Sequence, residues 1–157
     1  MSDSDADDLT AAFPAAFQEQ KATVAGREIV VREMTLVQSL GIAARMAPVF
    51  AALQPHYADG GDGVGSDTVM AALEAHPDVA LDLLAVSTGQ SVEWLGALPE
   101  RDGANLLMLC VVVHVPFFVA RLERAYQSRA QLDLLNAARA LAKSSPASSA
   151  TDMTKPH

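Results

Sequence analysis

The stretch "LLMLCVVVHVPFFVARL", residues 106–122, is the most apolar part of the chain, and its reading decides the fold. Three readings compete: a membrane span, a core helix, or an exposed face for a partner. A span needs about 20 mostly apolar residues to cross a hydrocarbon core of about 30 Å. Here the continuous apolar part, residues 106–113, is eight residues long, which makes about 12 Å of helix. Eighteen uncharged residues separate Asp102 from Arg121, but Gly103, Asn105, His114 and Pro116 stand among them. Glu100, Arg101 and Asp102 on one side and Arg121, Glu123 and Arg124 on the other give no positive-side asymmetry to orient a span. The stretch therefore reads as a buried helix, and no membrane is expected as a partner.

Composition points the same way. At 157 residues the chain is about one domain. Half of it is hydrophobic and only 5% aromatic. The apolar mass is Ala, Leu and Val, which suits closely packed helices better than a β-sandwich. The expected fold is a small, mainly α-helical domain with an N-terminal β-hairpin and disordered termini.

Upstream, "KATVAGREIVVREMT" places two β-prone runs around Ala25, Gly26 and Arg27, with Gly26 able to supply the positive φ of a tight turn. A lone hairpin is marginal in water, so it must pack on the following helices or join strands from another copy. Thr35 is a candidate N-cap, and Leu36, Leu40, Ala43, Ala44, Ala47 and Phe50 or Ala51 recur at helical steps. That predicts one helix to about Leu53, kinked or ended early by Pro48. The Gly- and Asp-rich "HYADGGDGVGSD" reads as a flexible linker. It lacks the Gly-Lys-Ser/Thr of a phosphate loop and the distal Glu of a calcium loop.

Short helices follow. Ser66 or Asp67 caps the first, Pro77 opens the second, Gly89 stops it, and Ser91 starts a third. The last helix begins between Pro99 and Asp102 and runs to about Lys143, with a break expected at Pro116. Residues 1–20 read as a disordered acidic arm, 21–143 as the domain, and 144–157 as a disordered Ser- and Pro-rich tail.

Several function classes are excluded on this basis. Of the formal net charge of −8, Asp3, Asp5, Asp7, Asp8 and Glu19 account for five, leaving −8 + 5 = −3 on the remainder. No basic stripe interleaved with aromatics is present, so nucleic-acid binding is not expected. Cys110 is the single cysteine and lies in the apolar run, a core residue rather than an activated thiolate. The acidic N-terminus has no basic region followed by an apolar one, so a secretory signal is not expected and the compartment is taken as cytoplasmic. His56, His76, His114 and His157 are scattered and unpaired at any ligand spacing, so no metal, cofactor or catalytic residue is expected. His114 reads as a core histidine bonded to a carbonyl freed by Pro116.

The segment from His76 to Leu122 resembles the small tail assembly chaperones of bacteriophages and prophages. The likeness lies in the order of features: the hairpin "VAGREIVVREMT", Thr88-Gly89, a short helix with Trp94, Leu95 and Leu98, then Asp102, Leu106 and the pair Phe117-Phe118. It covers residues 22–122. The resemblance implies a non-catalytic protein in the bacterial host cytoplasm that binds the tape-measure protein, keeps its helices soluble and promotes tail-tube assembly around it. Its expected partners are the tape-measure protein and the tail-tube protein, with homo-oligomerisation open. The alternatives are a minor structural tail or neck protein of the virion, or a membrane-associated small protein. Trp94, Phe117, Phe118, Tyr126, Leu132 and Leu135, with Leu141, are the candidate partner-binding residues, against the plainer reading that they close the core.

Overall fold

The structure, a computed structural model, describes residues 19–58 and 63–145. As expected, it is mainly helical with an N-terminal antiparallel hairpin. Two compact units are distinguished, one ending at Leu122 and one starting at Glu123. Residues 1–18, 59–62 and 146–157, which hold most of the expected arm, the middle of the expected linker and most of the expected tail, lie outside the described residues; Glu19 and Gln20, expected in the arm, belong to the first strand, and Ser144, expected in the tail, ends the last helix.

Strands β1 (Glu19–Val24) and β2 (Arg27–Arg32) pair from Val24↔Arg27 to Glu19↔Arg32. Only Ala25 and Gly26 lie between them, at φ of 48° and 75°. Two positive φ values are what a two-residue turn needs to match the twist of the strands. Gly26 adopts this freely; Ala25 does so at a cost of about 1 kcal/mol. Lys21–Glu28 and Glu19–Arg32 ion pairs line the solvent side. Val24, Ile29 and Val31 are buried, and β2 rests on a helix of the same chain, which answers the marginal stability of a lone hairpin.

Thr35 caps α1 (Leu36–Ile42) in a reciprocal arrangement: the Gln38 amide donates to Thr35 Oγ1 at 3.3 Å and the Thr35 amide to Gln38 Oε1 at 2.9 Å. The single helix expected to Leu53 is in fact two. A turn at residues 43–46 separates α1 from α2 (Ala47–Ala58), and the two axes differ by 99°. Pro48 does not kink a helix; it sits in the first turn of α2, where its missing N–H would be unpaired anyway. The expected buried face is also out of phase. Ser39, Ile42, Met46, Val49 and Leu53 point inward, while Leu36 and Leu40 are 73% and 61% exposed. Both stripes run at three- and four-residue steps, so periodicity alone could not choose between them.

The linker ends in packed structure rather than as a free loop. Val64 is buried, and a Cβ on Gly63 would stand 2.7 Å from the His56 carbonyl oxygen. Gly65, not Ser66 or Asp67, precedes α3 (Ser66–Glu74), and Thr68 Oγ1 donates to the Gly63 carbonyl at 2.8 Å. Helix α4 (Pro77–Thr88) opens on Pro77 and closes on Gly89 at φ 69°, both as read from sequence. Ser91 Oγ accepts from the Trp94 amide at 3.2 Å to cap α5 (Val92–Gly96). The last helix, α6 (Glu100–Ser144), is continuous through Pro116, where a break was expected. Proline there removes one ladder donor without ending the helix.

The core of the first unit is built from both strands and from α2, α3, α4 and the first part of α6. Val31, Met46, Leu53, Leu73, Leu83 and Leu106 are among its fully enclosed side chains. The opening stretch supplies one long side of it: Leu106, Cys110, Val111, Val113, His114, Phe118 and Leu122 are all buried. Its partly exposed neighbours Leu107, Leu109, Val115 and Val119 pack against the same cluster.

Candidate partner-binding surface

The most reactive side chains of the chain meet inside that core. Cys110 and His114 stand one turn apart on α6 and face Ser87 on α4. His114 Nδ1 lies 2.7 Å from the Cys110 carbonyl oxygen, so that nitrogen carries the proton, and Nε2 faces Ser87 Oγ at 3.4 Å. The carbonyl is that of Cys110, four residues back, and not one released by Pro116 as the sequence had suggested. Ser87 Oγ donates to the Leu83 carbonyl at 2.7 Å, and Cys110 Sγ approaches Ser87 Oγ at 3.5 Å.

A cysteine, a histidine and a serine this close invite a nucleophile reading, but the electrostatics oppose it. Burial pushes the Cys110 thiol up to about 12, far from the thiolate a nucleophile needs, despite the bond to Ser87. Burial also holds His114 below its ordinary value, against the opposing pull of the Cys110 carbonyl and of the Glu33 charge. All three residues are buried, His114 and Cys110 completely. The three side chains form a buried polar patch in an apolar core, and among the described residues no buried side-chain nitrogen or oxygen lacks a partner.

Among the described residues, no three His, Cys, Asp or Glu side chains are grouped to hold a metal ion. An open cleft of about 460 Å³ is lined by Arg45, Pro48, His76, Asp78, Val79 and Asp82. Its cation is already engaged, with Arg45 Nη1 2.6 Å from Asp82 Oδ2.

The expected partner-binding residues separate into three groups. Phe118 is wholly buried, stacked at 5.5 Å from Phe50 and 5.6 Å from Phe117, so it closes the core and offers nothing to a partner. Phe117 and Trp94 are half-buried, and each already packs against the core. Phe117 meets Phe50 and His114 edge-on, and the Arg27 guanidinium lies 5.5 Å from the Trp94 ring centre. Tyr126, Leu132, Leu135 and Leu141 are well exposed, at 57%, 59%, 57% and 72%.

Those four belong to the second unit, where every residue from Glu123 to Ser145 is exposed. They do not share one face. Tyr126, Ala130, Leu134, Ala137 and Leu141 recur at steps of four, four, three and four and form one apolar stripe. Leu132 and Leu135 lie off it, on the side carrying Arg139 and Ser128. Leu134, 71% exposed, is the central residue that sequence reading passed over. Its signal was present in the three- and four-residue steps, obscured by the run Leu132-Asp133-Leu134-Leu135.

The stripe also alternates large and small side chains, Leu134 and Leu141 with Ala130 and Ala137, so another helix can approach closely at the alanines. Over residues 13–157 the sequence matches the model of a family described only as being of unknown function, DUF6631. The chain belongs to that family. DUF6631 membership carries no activity with it, and no curated protein and no solved structure matches the chain.

As a whole, α6 also has the length and composition to cross a membrane: an 18-residue window reaches a mean hydropathy of 2.1. The eight-residue limit drawn from the sequence therefore understates this helix. A third of that window is buried within the chain itself, 33%, as the core helix of the first unit.

Proposed function

We propose that this chain is a non-catalytic binding protein that takes up an amphipathic helix of a long helical client along Tyr126, Ala130, Leu134, Ala137 and Leu141. The client is the tape-measure protein of a phage tail, and the chain acts in the host cytoplasm as a tail assembly chaperone. The observation that carries the binding role is the exposed apolar stripe on residues 123–144. Helix-on-helix recognition uses anchors at such steps. The choice of client rests on the resemblance of residues 22–122 to tail assembly chaperones, supported by the shared order of a hairpin followed by helices.

The residues that carry that resemblance act mainly as framework. Gly89 ends α4, and Leu95 and Leu106 are buried. Recognition is therefore assigned to the second unit rather than to the Thr-Gly or Phe-Phe motifs.

The test is co-expression with the tape-measure protein encoded in the same genome, followed by size-exclusion chromatography of the high-speed supernatant. The reading predicts that the client becomes soluble and co-elutes with this chain, and that the chain is depleted from purified particles. A client that stays insoluble while this chain elutes alone contradicts it. Recovery of the chain in particles favours a minor structural tail or neck component, and recovery in the membrane pellet favours a membrane role for α6.

A further inference from the structure

Packing β2 on a helix leaves one side of the hairpin open. Among the described residues the sheet has two strands, so no described strand pairs with the outer edge of β1. The turn decides which groups that edge offers. In a two-residue hairpin the residues flanking the turn exchange both backbone bonds, and bonded and non-bonded pairs alternate from there. Val24↔Arg27, Ala22↔Ile29 and Gln20↔Val31 are therefore the bonded pairs, and the N–H and C=O of Glu19, Lys21 and Thr23 point away from β2. The side chains of these same three residues are exposed, whereas Ala22 and Val24 turn toward the core.

A row of outward backbone groups is a template for another strand, and the charges on this one select which. Glu19 is ion-paired with Arg32 at 3.3 Å and Lys21 with Glu28 at 3.9 Å, both on the solvent side. A second copy of β1 can lie antiparallel against the edge with a two-fold axis at Gln20. Glu19 then stands opposite the second copy's Lys21, and Lys21 opposite its Glu19, each pair exchanging backbone bonds that the hairpin leaves unused. Across the four strands the charges alternate: Arg32 and Glu19 of one copy, then Lys21 and Glu28 of the other, with the row repeated by symmetry. Opposite charges directly across a ladder are favourable and like charges are not. An axis at Lys21 would set two lysines face to face, and an axis at Ala22 would place Glu19 opposite the turn residue Ala25 and gain no charge pair.

We infer that the outer edge of β1 is a self-association site, where residues 19–21 pair antiparallel with the same residues of a second copy and join two hairpins into one four-stranded sheet. A two-fold contact of this kind closes on itself and gives a dimer rather than a filament. The edge is short, so the dimer is expected to be weak and to form in concentrated solution. It does not use the client stripe on residues 123–144.

Hydrogen exchange on the full natural chain at two protein concentrations tests it without any substitution. The Lys21 amide is expected to exchange about tenfold more slowly in concentrated than in dilute solution, while the Ala22 and Val24 amides, already bonded to β2, change far less. Lys21→Pro removes an outward N–H that β2 does not use, a position where an edge strand tolerates proline. That variant is expected to keep its circular dichroism and to sediment as a monomer where the natural chain dimerises. Gln20→Cys, at the axis, is expected to give an interchain disulfide, since Cys110 is buried and stays free. Exchange at Lys21 that does not depend on concentration overturns the inference. So does a dimer that survives Lys21→Pro, and so does a Gln20→Cys dimer that stays uncrosslinked on oxidation.

Discussion

One helix, α6, does two opposite things. From residue 106 to 122 it turns leucines, valines and Phe118 into a core; from 123 to 144 it leaves Tyr126, Leu134 and Leu141 in solvent. The local sequence is helix-forming in both parts, and both carry apolar residues at helical steps. The difference is in what surrounds the stripe. The first part is apolar on nearly every side and carries no charge between Asp102 and Arg121, whereas the second intersperses Arg124, Arg129, Asp133, Arg139 and Lys143. A helix hydrophobic all round needs neighbours from its own chain, and a charged helix with one apolar stripe stays solvated until another helix covers that stripe.

If that comparison is right, substitutions in the two parts separate stability from binding. Phe118→Ala leaves a cavity among Phe50, Phe117 and the core aliphatics, and is expected to cost about 3–5 kcal/mol in urea unfolding. Leu134→Ala is expected to change stability by less than about 0.5 kcal/mol. Equal losses would erase the distinction between the two parts.

Acid sharpens the comparison, because only the first part contains a buried titratable group. His114 is held neutral below its ordinary 6.5 chiefly by burial. The unfolded chain therefore binds that proton more readily, so the contribution of His114 to stability is intact above about pH 6.5 and is lost as the pH falls below it. One proton gives a slope of at most about 1.4 kcal/mol per pH unit. His114→Leu is expected to flatten the stability profile between pH 7 and pH 5.5. An unchanged slope in that variant would move the acid sensitivity elsewhere.

Backbone conformation gives a smaller effect. Gly89 closes α4 at φ 69°, which an L residue adopts at a cost, so Gly89→Ala is expected to lower stability by about 1 kcal/mol. Gly103, inside α6 at negative φ, is the control, and Gly103→Ala is expected to be neutral or slightly stabilising.

How much of this was legible follows from which signals are local. The hairpin, the Thr35 and Ser91 caps, Pro77 at a helix start and Gly89 at a helix end depend on one to four adjacent residues, and each was read from the sequence. The 99° bend between α1 and α2 was not, because the Ala-rich run from Ala43 to Ala47 is compatible with helix and only tertiary packing selects the turn. The phase of the α1 face was missed for a related reason: Leu36 and Leu40 outrank Ser39 in hydrophobicity, yet Ser39 points inward and bonds the Leu36 carbonyl at 2.9 Å. At the candidate surface, Tyr126 is exposed and Phe118 buried although both were candidates, and Leu134 was passed over. Burial of an aromatic depends on residues distant in sequence, such as Phe50, and no local pattern reports it.

The central claim is that the stripe on residues 123–144 binds and does not fold. The most direct measurement is co-elution with the tape-measure protein of the double variant Leu134→Glu, Leu141→Glu, with its thermal midpoint recorded alongside. The account predicts an unchanged midpoint and at least tenfold less client carried, with Leu132→Glu, Leu135→Glu losing far less. Full client binding by a folded Leu134→Glu, Leu141→Glu variant would contradict it.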